Sequence, residues 1–192
     1  KKKKELITFK NLIKAFYNTD LGSNISLLDL GCSDMSLVTA ATEKGYTAQG
    51  VDVDTVNFEN EQLKFSNNSF DIVICTSVIE HLYSFDNIFR EVNRVLKKGG
   101  FFIIVTPNWK YNVKNFFDDP THKHPFTERS LNFALSSFDF QEINILPWLV
   151  NKPSWMWKVP FKFFLARIIP FRGDTKLWLP NFLKGRSKSL LA

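Results

Sequence analysis

The sequence predicts an α/β fold in which a mostly parallel sheet carries helices on both faces. Three observations predict it. Short apolar runs, SLLDL at 26–30, FDIVICT at 70–76 and FFIIV at 101–105, read as strands buried on both sides. Between them, apolar residues recur at helical spacing. The 192 residues suffice for one such domain and not for two full ones.

Each element follows from its own residues. Phe9, Leu12, Ile13 and Phe16 predict a helix over 8–17. SLLDL ends at Gly31, and Ser33 or Asp34 can cap a helix running to Glu43 or Lys44, with Gly45 as its stop. A second strand over 46–51 ends at Asp52. The interval from Asp52 to Leu63 is shorter than the dozen or so residues that a crossover between parallel strands requires. The helix after the second strand is therefore expected to be missing, and any third strand, near 56–58, to be short. Asp86 caps a helix with Ile88, Phe89, Val92, Val95 and Leu96 on one stripe. Lys97 and Lys98 are expected in its last turn, where cations complement the helix dipole, and Gly99 ends it. Pro107 stops the strand that contains FFIIV. Thr127 caps a helix that aligns Leu131, Ala134, Leu135 and Phe138, and 141–146 alternates as a strand.

The balance of 44% hydrophobic and 23% charged residues excludes a wholly disordered chain. Cys32 and Cys75 read as buried thiols of a reducing compartment. No apolar run approaches the ~20 residues of a membrane-spanning helix. The four leading lysines lack the apolar stretch of a secretory signal. These features predict a cytoplasmic chain. The net charge of +6 is segregated: residues 1–20 carry +4, residues 21–146 carry −6 and residues 147–192 carry +8. An acidic body with basic ends argues against a nucleic-acid-binding domain.

In such a sheet, ligands bind at the carboxyl ends of the strands, where strand order reverses. Gly31 permits close backbone approach there, and a helix start behind it offers free N–H groups. Asp52 can accept both hydroxyls of a ribose. The pair points to a nucleoside-containing cofactor, and a tight turn with a capping acid is the plainer alternative.

Three blocks in order make the pattern specific. LLDLGCSDMSLVTAATEKGYTAQGVDVD, LKFSNNSFDIVICTSVIEHL and IFREVNRVLKKGGFFIIVTPN resemble a class I S-adenosylmethionine-dependent methyltransferase across 26–108. HPFTERSLNFALSSFDF is similar to that family's following helix and strand, and RSKSLL to its last strand. The resemblance implies a Rossmann-like class I methyltransferase fold, a seven-stranded sheet with one antiparallel strand, here shortened after the second strand. It implies S-adenosylmethionine as cofactor. Asp29 and Gly31, with the backbone of Cys32 and Ser33, would hold its methionine part, Asp52 its ribose, and Glu59 would lie near the adenine. Thr76 and Ser77 would line the amino-acid end. The family's GxGxG loop reads Gly31-Cys32-Ser33-Asp34-Met35 here, which puts a long side chain where helix and strand pack closely.

His81, His122 and His124 are the chain's three histidines. All follow strands whose carboxyl ends share one edge, so all three can approach one crevice. They are the candidate catalytic residues, as general base for a hydroxyl acceptor, and the alternative is that they merely bond loop carbonyls. No metal is expected. A site from Asp118, Asp119, His122 and His124 is the rarer alternative, without a distal ligand.

The sequence divides into a Rossmann-like S-adenosylmethionine-binding domain with an N-terminal helix, 1–146, and a basic aromatic segment, 147–192, that returns to the same sheet. That segment holds Trp148, Trp155, Trp157 and Trp178. Phe161, Phe164, Leu165 and Ile168 lie on one stripe among Lys158, Lys162 and Arg167. It reads as a lid over the acceptor or as a face for an anionic membrane surface. The expected function is methyl transfer to a small-molecule, sugar or lipid-linked acceptor, at oxygen. The alternatives are a degenerate cofactor-binding scaffold and a nicotinamide-dependent oxidoreductase, which lacks GxGxxG here.

Overall fold

The computed structural model describes residues 2–147 and 189–192. One sheet contains β1 (Ser26–Leu30), β2 (Thr47–Val51), β3 (Phe70–Thr76), β4 (Leu96–Pro107), β5 (Leu146–Pro147) and β6 (Ser189–Leu191). Their order across it is β2-β1-β3-β4-β6-β5. The first four are parallel, and β6 runs antiparallel between β4 and β5. The chain steps from β1 to β2 on one side, then to β3 on the other. This reversal opens a crevice at the carboxyl ends of β1 and β3.

Successive side chains of a strand point to opposite faces, so the continuous apolar runs feed two cores. Leu28, Leu30, Val73, Cys75 and Ile104 pack under α3 (Asp86–Val95) and α5 (Glu128–Ser136). Leu27, Ile72, Ile74, Ile103 and Val105 pack under α1 (Lys2–Tyr17) and α2 (Ser36–Thr42). Thr127 caps α5 with its hydroxyl and exchanges hydrogen bonds with Ser130.

Several boundaries differ from those expected. α1 begins well before residue 8. α2 begins at Ser36, behind Met35 in the left-handed region (φ 57°), and the Asp34 carboxylate accepts from the Ser36 N–H. α3 takes Asp86 as its first residue rather than its cap, since Phe85 holds the cap position, and it stops at Val95, so Lys97 and Lys98 belong to β4 and not to a helix end. Pairing of Phe70 with Leu96 and the 2.9 Å ion pair from Lys97 to Asp71 pull the segment into the sheet. Residues 141–146 contribute only Leu146 to a strand. Glu142 has positive φ (51°), and the Tyr17 hydroxyl donates to its carbonyl.

Between β2 and β3 there is no helix, as expected, and no strand at 56–58 either; the described residues hold six strands rather than seven. Val56, Phe58 and Leu63 are nonetheless buried in the α3 core. Polar side chains along α3 stabilise this connector. Asn87 donates to the carbonyls of Phe58 and Glu61, Glu91 accepts from the Leu63 N–H, and Arg94 donates to the carbonyls of Leu63 and Phe65. A buried loop leaves backbone groups without ladder partners, and these side chains supply them.

The basic aromatic stretch expected as a lid or membrane face lies outside the described residues over 148–188. Its two ends are described. Pro147 pairs with Leu190, and Ser189 pairs with Pro107 at the carboxyl end of β4. Among the described residues, no helix is long and apolar enough to cross a membrane.

Candidate cofactor and acceptor site

The loops at the carboxyl ends of β1 and β2 are tied together through the main chain. Gly31 and Cys32 donate their N–H groups to the Val51 carbonyl. Gly31 has φ +75°, and a Cβ there would overlap the Val78 side chain, so only glycine fits. The Asp52 carboxylate accepts from the Ser33 N–H at 2.6 Å and from the Val53 N–H at 2.7 Å. Ser33 itself sits at φ 44°. Met35 does not crowd this turn. Its sulfur lies over Gly50, where a Cβ would stand 2.9 Å from it, so the missing side chain on β2 accommodates the extra one in the loop.

Asp29 is buried on β1 beside this turn. Burial, reinforced by Glu5 and Asp52 and opposed by Lys2, pushes its carboxyl up to about 7. Burial, with Asp29 and Asp52 adding to it, raises the Cys32 thiol, so it is not a reactive thiolate. Glu59 accepts from the Tyr83 N–H at 3.2 Å, which ties the connector to the loop after β3.

Side chains build the other half of the edge. Thr76 ends β3, and its buried hydroxyl has no hydrogen-bond partner. Ser77 follows at φ 55° and donates its N–H to Val105. Ile79–His81 forms a 3-10 turn that carries Glu80 into the interior, where Oε2 accepts from the Thr106 hydroxyl at 2.9 Å. Burial raises the Glu80 carboxyl, against the Thr106 bond and the nearby His122. The Glu80 carbonyl accepts from the N–H groups of Lys123 and His124, which brings the loop after β4 onto the turn.

This latch places His81 and His122 together, their ring centroids 4.7 Å apart. His122 Nδ1 lies 2.6 Å from the Phe116 carbonyl, and His81 Nδ1 lies 2.8 Å from the Thr121 hydroxyl. Burial and the neighbouring His122 lower the His81 pKa. His124 is held elsewhere, stacked on Phe126 and edge-on to Phe85. Of the two aspartates beside these histidines, Asp119 accepts from Thr121 and lies 3.8 Å from His122 Nε2, whereas Asp118 turns to Asn115. The sequence reading missed Glu80. The available signal was an acidic residue inside the apolar run SVIEHL, next to a candidate histidine.

Comparison with known proteins agrees with this geometry. The family model described as a methyltransferase domain matches residues 5–144. A curated relative, the ubiquinone biosynthesis O-methyltransferase of Pelagibacter ubique, is 26% identical over a stretch covering 44% of this chain and 43% of that protein, so the chain matches less than half the relative's length. A SAM-dependent methyltransferase from Archaeoglobus fulgidus superposes with a TM-score of 0.57 at 22% identity, over 79% of this chain and 77% of its own. A methyltransferase of Haloferax volcanii, solved in complex with the Trm112 activator, superposes with a TM-score of 0.63 at 14% identity, over 96% and 92% of the two chains. The sheet order, the glycine turn and the matched family model lead to one conclusion: the chain belongs to the methyltransferase domain family and has the class I S-adenosylmethionine-dependent fold.

Proposed function

We propose that the chain transfers a methyl group from S-adenosylmethionine to an oxygen of a small-molecule acceptor. The observation that carries this reading is the β1–β2 edge, where a glycine turn at Gly31 meets a carboxylate at Asp52. The residues fit the cofactor. Gly31, at φ +75° and packed directly on Val78, gives the side-chain-free turn that a closely approaching cofactor needs, and the orphaned Thr76 hydroxyl is a polar group lacking its partner. Asp52 retains lone pairs for ribose hydroxyls beyond its two backbone bonds. Asp29, with the Gly31, Cys32 and Ser33 backbone, would hold the methionine end, which Thr76 and Ser77 would line, and Glu59 would serve the adenine from the connector.

When bound, the cofactor supplies an electrophilic methyl group on a sulfonium. The chain's own contribution is to position the acceptor and to receive its proton. His122 donates Nδ1–H to the Phe116 carbonyl, which can only accept, so Nε2 carries the lone pair. That nitrogen, on a ring packed 4.7 Å from that of His81, is the base this reading assigns to the acceptor hydroxyl. The oxygen assignment also draws on the O-methyltransferase relative. Sugar and lipid-linked acceptors belong to the same proposal, with residues 148–188 as the segment that meets them. The degenerate-scaffold alternative rested on Met35 and on the missing helix after the second strand; Gly50 makes room for the Met35 side chain, and the connector that stands in place of the helix is held by Asn87 and Glu91 of α3.

Calorimetry with S-adenosylmethionine, S-adenosylhomocysteine and NAD tests the reading. The two sulfur compounds should bind one per chain and NAD should not. NAD binding alone would replace the proposal with an oxidoreductase.

A further inference from the structure

We propose that Glu80, His81 and His122 form a binding site for a divalent transition-metal ion of the zinc type. One ligand atom from each lies within 4.8 Å of those of the other two. Bonds of ~2.1 Å to one tetrahedral ion place its ligands about 3.4 Å apart, so small side-chain rotations close the set.

Two independent features point to a cation. Glu80 is 1% exposed, and its Oε1 has no hydrogen-bond partner, whereas Oε2 is satisfied by Thr106. A buried carboxylate oxygen without a donor is costly, and a metal ion is the partner it lacks. Each imidazole, moreover, has its Nδ1 held by an oxygen. The Thr121 hydroxyl donates to Asp119 at 2.6 Å and therefore accepts from His81 Nδ1, as the Phe116 carbonyl accepts from His122 Nδ1. Both rings thus keep their lone pair on Nε2, with the other nitrogen fixed by an oxygen, the outer-shell arrangement of metal-bound histidines. Asp119 Oδ2, 3.8 Å from His122 Nε2, adds negative charge beside the cluster.

Two imidazoles and one carboxylate suit zinc and its transition-metal neighbours better than magnesium or calcium, which prefer all-oxygen sets. Three protein ligands leave a position open for an exogenous oxygen. The site stands on this geometry alone. Only its role rests on the methyl-transfer reading: with the ion bound, His122 Nε2 serves as a ligand and not as the base, a hydroxyl at the open position loses its proton to solvent more readily, and its oxygen forms the new C–O bond as the donor's S–C bond breaks.

Titration of the full chain with Zn2+ by calorimetry, and with Co2+ by visible absorption, tests the proposal. One ion per chain should bind, and Co2+ should show the ligand-field bands of a low-coordinate site. Residues 148–188 contain neither His nor Cys and offer no competing set of that kind. His81→Ala and His122→Ala should each weaken Zn2+ at least a hundredfold, beyond the roughly 10–100-fold that loss of an outer-shell partner costs. His124→Ala, whose ring packs on Phe85 and Phe126, should leave it unchanged. Absence of Co2+ bands in the unaltered chain, or Zn2+ affinity indifferent to both substitutions, would overturn the site. Zn2+ binding without S-adenosylhomocysteine binding would sink the methyl-transfer reading and leave the metal site standing. The reverse result would do the opposite.

Discussion

The two halves of the sheet's carboxyl edge are made of different material. On the β1–β2 side, the turn is defined by backbone: Gly31 at φ +75°, Ser33 at φ 44°, and N–H groups donated to Val51 and Asp52. On the β3–β4 side, it is defined by side chains that meet from distant parts of the chain: Glu80, His81, Thr106, Thr121 and His122. On the proposed reading, the backbone turn would meet what every chemistry of this kind shares, the cofactor, and the side-chain cluster, which can be exchanged residue by residue, would be the half that suits a particular acceptor.

Substitutions should separate these halves. His122→Ala should lower the rate of methyl transfer by roughly 10²–10⁴ and leave S-adenosylhomocysteine affinity unaltered. Parallel losses in rate and affinity would mean that the halves are not distinct. Gly31→Val should do the converse, abolishing cofactor binding in calorimetry, because its Cβ overlaps Val78 and its φ is strained. The circular dichroism spectrum and the His81–His122 cluster should survive. A smaller effect is expected for Asp52→Ala, about tenfold or more in S-adenosylhomocysteine affinity, since hydrogen bonds to a carboxylate contribute roughly 1.5–3 kcal/mol each. Unchanged affinity in a folded variant would remove Asp52 from the ribose.

The mildest test uses pH. Asp29 titrates at about 7 when folded, against an ordinary value of 3.8. Its raised pKa favours folding below pH 3.8, and that advantage is lost as pH rises through 7. Without cofactor, Asp29→Asn should therefore melt higher than the natural chain at pH 8 and alike near pH 4. Each kcal/mol of difference corresponds to roughly 2–4 °C at this chain length. If Asp29 meets the cofactor's ammonium group, S-adenosylhomocysteine affinity should fall below pH 7 and stay flat in Asp29→Asn. A pH-independent affinity in the natural chain would place the ammonium elsewhere.

The same contrast governs what the sequence revealed. The turn at Gly31 and the acid that closes onto it at Asp52 were legible as structure because a turn after a strand and an acid at the end of the next are local patterns, fixed by spacing. The connector without a helix was legible for the same reason, as a length too short for one. Glu80 was not, because its meaning depends on Thr106, 26 residues on, and on the loop that its carbonyl holds. Lys97 misled in the same way. By local rules it completes a helix, but a carboxylate on the neighbouring strand, Asp71, claims it for the sheet. His124 shares its spacing with His122, yet Phe85 and Phe126 capture its ring.

The pairing of Pro147 with Leu190 has an evolutionary consequence. The described ends of the intervening stretch, Pro147 and Ser189, lie on neighbouring strands beside the carboxyl end of β4, so the sheet's register does not depend on how many residues join them. Doubling the length of a flexible connection costs only about 0.6 kcal/mol of closure entropy. Insertions, deletions and wholesale replacement can therefore accumulate there while the sheet's register stays intact. A lineage could exchange that stretch like a cassette, trying new surroundings for the acceptor without re-solving the problem of folding.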